Sequence, residues 1–429
     1  MNEATLRFAR EHADDDVRQL ALRGRSEPDV DLTAALQQIA GRQTALRKLP
    51  TWVAVEDILY PPHLNMEQCS SEATARYKAE LLCTMLTAEE RSSSTLVDLT
   101  GGLGVDFAFM APHVGRSVYI EHDETLCHLA RHNMPLLGLP HARILCAEAQ
   151  QGCGIAENIG KSTEEDGDGQ PSGTVFYMDP ARRDTAGRRT YALCDCTPNV
   201  LTLLPQLMSA CRLLLLKLSP MLDWHKAVAD LESAATDCRV REVHVVAVGG
   251  ECKELLVVVE KGRGNTALRV VCAEDDTRFT FLADKAAAPP PVTDTHILPS
   301  PGQVLLVPGA AVMKSGGFGP LAMHYGVRQL GQNSHLFVAD STPAAWPGRT
   351  FHITAVTSLN KQEIRSVANG AAPLRANISV RNFPMTADEL RKRLQAKDGG
   401  DVFVFATTLP PRRHVLIWCR KTYYPSVSV

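Results

Sequence analysis

Five unbroken apolar runs between Ser94 and Gly262 constrain the fold more than any other feature: TLVDL (95–99), SVYIE (117–121), ARILC (142–146), VFYMD (175–179) and RLLLLKL (212–218). A strand with one wet face alternates apolar and polar residues. A strand covered on both faces does not, and double cover is the setting of a parallel sheet. Helical stretches separate these runs, and two more, VHVVAV (243–248) and LLVVVE (255–260), lie close enough for an antiparallel pair. The pattern predicts a doubly wound α/β domain of seven strands over residues 93–262. Within it, KSTEEDGDGQPSG (161–173) is polar, acidic and glycine-rich, and reads as a surface insertion before the fourth strand.

The flanks read differently. Residues 1–92 look helical: Leu32, Ala35, Leu36, Ile39 and Leu46 recur at helical spacing, and SSEATARYKAELL (70–82) has the serine start and acidic first turn of a second helix. Residues 263–348 read as a smaller α+β unit in which VLLVPGAAVMKSGG (304–317) is a strand running into a helix. From Arg349 a strand, a helix opened by NKQE (360–363), a second strand, a helix opened by the capping box TADE (386–389) and two last strands make a compact βαβαββ domain.

The charge is unevenly distributed. Residues 349–429 carry 13 Lys plus Arg against 5 Asp plus Glu, whereas residues 1–348 carry 32 against 43. A basic domain on an acidic body points to a polyanionic partner, the alternative being chance variation between small domains. Arg381, Arg391, Lys392 and Arg393 are candidate phosphate contacts, and Arg391 to Arg393 read equally well as an exposed helix face. The charged N-terminus and the interruption of the LLLL run by Lys217 lead us to expect neither leader nor membrane span, and a cytoplasmic location. Twelve cysteines at irregular spacing, none in C-x-x-C, read as reduced thiols, and no metal is expected.

DLTGGLG (98–104) follows the first strand. Its glycines let backbone pass close to a ligand, and free N–H groups at a helix start favour an anionic group. The dinucleotide fingerprint needs a third glycine where Phe107 stands, while Glu121 closes the second strand 17 residues beyond Gly104, a spacing that suits an acid on the hydroxyls of one ribose. A single adenosine therefore fits better than two nucleotides. Here the chain resembles the class I S-adenosylmethionine-dependent methyltransferases: Asp98, Gly102 and Gly104 match the first motif, YIEH (119–122) the ribose-binding acid and CAEA (146–149) the adenine-binding turn. The resemblance implies S-adenosylmethionine as cofactor, with the backbone of Thr100, Gly101, Gly102 and Gly104 at its methionine part, Glu121 at the ribose and Glu148 at the adenine amine. Thr100 departs from the glycine common at its position.

DPARRD (179–184) ends the fourth run. A carboxylate and a neighbouring carbonyl that accept hydrogen bonds from an exocyclic amine turn its delocalised lone pair toward a methyl group. Asp179 and Pro180 resemble the start of the (D/N)-P-P-aromatic motif of amino-methylating nucleic-acid enzymes, with Ala181 and Arg182 replacing the second proline and the aromatic. Arg182 can still stack on a base, and Arg183, Lys217 and Ser219 are placed in the acceptor pocket; the plain alternative is an Asp-Pro turn with the arginines paired to Asp184. The loop KLSPML (217–222) has no cysteine, which argues against covalent attack on a pyrimidine carbon.

Taken end to end, NMEQCSSEATARYK (65–78), DPARR (179–183), KLSPMLD (217–223), GGECKEL (249–255), PGAAVMK (308–314) and VRNFP (380–384) are similar to one family: class I methyltransferases with a ferredoxin-like middle domain and a C-terminal THUMP-like domain. The resemblance implies a Rossmann-like seven-stranded methyltransferase domain (93–262), a helical N-terminal region (1–92) and two small α+β C-terminal domains (263–348 and 349–429). It also implies a lid over the donor with Gln68, Ser70 and Thr74 near the methionine end, against simple helix capping by Ser70 or Ser71. THUMP domains deliver RNA to modifying enzymes, so methylation of RNA, tRNA first, at a base nitrogen is the expected function. The alternatives are an inactive RNA-binding protein on the same fold and a small-molecule or protein methyltransferase.

Overall fold

The computed structural model describes residues 1–23, 29–151, 154, 173–181, 192–262, 267–283, 298–331, 333–367 and 374–421. The acidic insertion predicted at 161–173 lies, but for Gly173, outside the described residues. The chain divides into two compact units, one of residues 1–241 and 254–265, the other of residues 242–253 and 266–429.

The first unit begins with helices Glu3–Glu11, Val17–Arg23 and Leu32–Lys48, which bury Phe8, Ala9, Leu20, Ala35 and Ile39 together. The predicted apolar face of the third helix holds over its first half, where Ala35 and Ile39 are buried and Leu32 and Leu36 pack against them; Leu46 is half exposed, while Ala45 and Leu49 are fully buried. Helix Glu72–Met85 follows, with Ser71 Oγ accepting from Thr74 N–H at its start.

Strands β1 (Thr95–Asp98), β2 (Arg116–Glu121), β3 (Arg143–Cys146), β4 (Thr174–Met178) and β5 (Leu213–Leu218) are parallel, in the order β3-β2-β1-β4-β5. All four residues of β1 and all five of β4 are buried, as their unbroken apolar character requires. β6 (Cys238–Val248) and β7 (Glu251–Lys261) form the hairpin, turned by Gly249 and Gly250 at φ +60° and +81°, and β7 runs antiparallel to β5. The strand order reverses between β1 and β4. That reversal opens a crevice at their carboxyl ends, where Asp98 and Asp179 lie on adjacent strand ends.

In the second unit, the later part of β6 pairs in parallel with β8 (Arg269–Glu274), and β8 with β9 (Thr277–Leu282) as a hairpin. A seven-stranded sheet, order β11-β12-β10-β13-β16-β15-β14, is built from β10 (Val304–Pro308), β11 (Arg328–Gln329), β12 (Phe337–Ala339), β13 (Gly348–Thr357), β14 (Leu374–Arg381), β15 (Ala396–Leu409) and β16 (Arg413–Lys421). Helices Lys361–Val367 and Ala387–Leu394 interrupt β13–β14 and β14–β15, and the Thr386/Glu389 capping box opens the second. One core holds Leu305, Phe351, Phe405 and Ile417; the other holds Leu390, Leu394, Val404 and Trp418. Alternation along β15 and β16 thus fills two cores from one sheet.

Candidate active site

The loop after β1 is fixed by hydrogen bonds within itself and to the end of β2. Asp98 Oδ1 accepts from Thr100 N–H at 3.0 Å, Gly101 N–H donates to the Ile120 carbonyl at 2.8 Å, and Gly104 N–H donates to the Gly101 carbonyl at 2.8 Å. Gly101 lies flat on the Tyr119 ring, where a Cβ would stand 2.2 Å from Cε2, and the Tyr119 hydroxyl donates to the Gly102 carbonyl at 2.5 Å. Gly102, at φ +55°, faces open space: an added Cβ would meet only the Thr100 carbonyl oxygen, at 3.8 Å.

Glu121 closes the crevice wall beside this loop. Its Oε2 accepts from Gly102 N–H at 2.8 Å, and its Oε1 accepts from His122 N–H at 2.9 Å and Asp123 N–H at 3.0 Å, with His122 Nδ1 at 2.8 Å. Asp123 then caps helix Glu124–Leu136. The carboxylate that sequence reasoning assigned to a ribose is therefore held rigidly against the glycine loop. Glu148 sits exposed in the turn after β3, whose Ala147 N–H donates to the Glu121 carbonyl at 2.9 Å.

Asp179 follows β4. Its backbone N–H donates to Thr100 Oγ1 at 2.7 Å, so the threonine that departs from the usual glycine ties the loop after β1 to the turn after β4. Its Oδ2 pairs with Lys217 Nζ at 2.5 Å, while Oδ1 carries no hydrogen bond among the described residues. Pro180 is buried, and Ala181 is bridged to Thr197 through both backbone groups. Burial would lower the Lys217 ammonium's pKa, but Asp179, Asp106 and Glu254 outweigh it and push it above the usual lysine range. Ser219 is buried and its Oγ accepts from Met221 N–H at 3.2 Å, which turns the loop after β5. Arg182 and Arg183 lie outside the described residues.

Sequence reasoning missed the group behind these turns. Lys78, fully buried in helix Glu72–Met85, donates to Asp106 Oδ1 at 3.0 Å, Glu254 Oε2 at 2.8 Å and Ser70 Oγ at 3.2 Å. Asp106 Oδ2 also accepts from Ser70 Oγ at 2.7 Å and the Tyr177 hydroxyl at 2.6 Å. Burial raises the Asp106 pKa, yet Lys78, Lys217 and these hydroxyls bring it down to about 2. Burial holds the Glu254 carboxyl above its ordinary value despite the two lysines. The available signal was Lys78 itself, at helical spacing with Ala75, Ala79 and Leu82 on an apolar face where a lysine needs a partner. Of the predicted lid residues, Gln68 is exposed at the end of helix His63–Gln68, and the buried Thr74 donates to the Ser71 carbonyl at 3.0 Å.

The charge around the crevice is mainly negative: among the described residues, Asp98, Asp106, Asp179, Glu121 and Glu254 act on one another, with Lys78 and Lys217 as the opposing lysines. Burial first, and then Asp106, Asp179 and Glu121, hold the Asp98 carboxyl well above the usual carboxylate range.

In the second unit, Arg381 is half-buried at the end of β14 with its pKa lowered by burial and by Arg349. Arg391 is paired with Asp388 at 2.5 Å and Asp398 at 3.0 Å, whereas Lys392 and Arg393 are exposed on helix Ala387–Leu394. Among the described residues no group of His, Cys, Asp and Glu has metal-holding geometry, and no helix is long and apolar enough to cross a membrane.

Comparison with known proteins agrees with this reading. The family described as THUMP domain-like matches residues 348–421, and a ferredoxin-like domain family matches residues 305–347. Uncharacterized S-adenosylmethionine-dependent methyltransferases of two Mycobacterium tuberculosis strains, CDC 1551 and H37Rv, are each 23% identical over 380 residues, covering 89% of this chain and 92% of theirs. The crystal structure of a protein from Porphyromonas gingivalis W83, assigned as a methyltransferase, superimposes with a TM-score of 0.81 at 29% identity and 98% coverage of both chains. The chain is an S-adenosylmethionine-dependent methyltransferase whose residues 305–347 match a ferredoxin-like domain and whose residues 348–421 match a THUMP-like domain.

Proposed function

We propose that this methyltransferase acts on RNA, with tRNA as the first candidate, and delivers the methyl group to a base nitrogen. The observation that carries the reading is Asp179. Its carboxylate stands at the carboxyl end of β4 with Oδ2 fixed by Lys217 and Oδ1 without a hydrogen bond among the described residues, on a turn held by Thr100 and by the Ala181–Thr197 bridge. S-adenosylmethionine supplies a methyl group already activated on a cationic sulfur, so little acid or base help is needed and positioning dominates.

Glu121 and the backbone from Thr100 to Gly104 would hold the nucleoside and methionine parts, and Asp98 would supply negative charge beneath them. The Lys217 ion pair fixes the Asp179 rotamer, so Oδ1 presents its lone pairs in one direction to an amine N–H. Such a bond turns the nitrogen lone pair out of conjugation and toward the donor. The excess of basic over acidic residues in 349–429 supports a polyanionic acceptor.

The test is incubation of purified protein and isotopically labelled methyl donor with RNA from cells lacking the gene, followed by nucleoside mass spectrometry. Label on a base nitrogen, reduced about 10²–10³-fold by Asp179→Ala with donor affinity retained, is the expected result. Label on protein or small molecules alone would exclude RNA, and label on a ring carbon would exclude the role given to Asp179.

A further inference from the structure

VRNFP (380–384), singled out in the sequence, has no part in the methyl-transfer site. It runs off the end of β14, where Val380, Asn382, Phe383, Pro384, Thr408 and His414 line an open cavity of about 460 Å³. The volume suits a nucleotide-sized group. Phe383 and His414 meet edge to face, with ring centroids 5.5 Å apart and planes at 76°.

The hydrogen bonds give the cavity a defined polarity. Thr408 Oγ1 donates its one proton to the Asn382 carbonyl at 2.6 Å. Its 3.0 Å contact with His414 Nδ1 therefore needs the imidazole N–H as donor, which leaves Nε2 of the neutral ring as an acceptor. Asn382 is exposed at φ +50°, a left-handed conformation that asparagine tolerates, and its side-chain amide makes no hydrogen bond among the described residues. Arg412, in the turn between β15 and β16, and Arg413, the first residue of β16, are both exposed and precede His414.

We propose that this cavity takes an unpaired nucleotide of RNA, with the base against Phe383 and His414, the Asn382 amide on the base edge and the flanking phosphates toward Arg412 and Arg413. Aromatic rings stack on any base, an amide offers a donor and an acceptor to its edge, and guanidinium groups meet the backbone charge. A paired and stacked base would present neither a free face nor a free Watson–Crick edge. The net positive charge of residues 349–429 complements the same ligand. This assignment rests on the RNA reading above.

The experiment is fluorescence anisotropy of a labelled single-stranded RNA of mixed sequence, titrated with the full chain at several salt concentrations. Phe383→Leu keeps apolar contact with the core around Leu390 and Trp418 and so preserves folding, checked by thermal unfolding and by unchanged affinity for S-adenosylmethionine. Phe383→Leu and His414→Ala should each weaken binding about 5- to 150-fold with the salt slope unchanged. The Arg412→Ala, Arg413→Ala double variant should flatten the slope by about 1.4. Normal binding by the Phe383 and His414 variants overturns the cavity's role and leaves the RNA reading standing. A wild-type protein that binds no RNA overturns both.

Discussion

Replacing Lys78 by methionine removes the one cation shared by two buried carboxylates. The ammonium is fully buried and donates to Asp106 at 3.0 Å, Glu254 at 2.8 Å and Ser70 at 3.2 Å; without it, Lys217 is the remaining nearby cation. Removing one partner of a buried ion pair costs about 3–5 kcal/mol, because the other charge is left in low dielectric. At about 2–4 °C per kcal/mol for a unit of this size, the thermal midpoint should fall by about 6–20 °C. Adding Glu254→Gln to Lys78→Met removes charge of both signs and should recover most of the loss.

The pH dependence carries its own sign. Asp106 has a folded pKa near 2, below its unfolded value, so its contribution is fully present above about pH 4 and is lost as pH falls toward 2. The difference between wild type and Lys78→Met should therefore be largest at neutral pH and shrink below about pH 4. Urea unfolding at pH 7 and pH 3 measures it. A loss under about 1 kcal/mol at pH 7, or one undiminished at pH 3, would refute the reasoning.

Two other outcomes follow from the glycine loop. Asp98 has a raised pKa in the folded protein, so a cationic donor should drive it to ionise: binding releases a proton, and affinity rises with pH up to that raised value. Calorimetric heats should differ between phosphate and Tris buffers, and identical heats would count against it. Gly101→Ala places a methyl group 2.2 Å from the Tyr119 ring, and should cost about 1–3 kcal/mol in thermal or urea unfolding while weakening donor binding by calorimetry.

Much of this was legible in the sequence because it is local. Buried parallel strands need uninterrupted apolar residues, which β1, β4 and β5 supply; β3 carries a similar run but lies at the sheet edge with no buried residue, and DLTGGLG and VFYMDP announce the strand ends at the crevice. The Thr386 capping box and the Gly249-Gly250 hairpin were equally local. The buried network was hidden because it joins Lys78 to Glu254 across 176 positions, and nothing near either residue names the other. The pairing of Asp179 with Lys217 was hidden likewise, since both were assigned to the pocket but not to each other. The inward face of helix Leu32–Lys48 was legible from Leu32 to Ile39 and misjudged at Leu46, where Ala45 is the buried residue.

The single hydrogen bond from Asp179 N–H to Thr100 Oγ1 has a thermodynamic consequence. It joins the loop after β1 to the turn after β4 through a side chain, and coupling between two binding equilibria acts with the same factor in both directions. A methyl donor at the one and an acceptor at the other, coupled through this bond, would each change the hold on the other by the same factor.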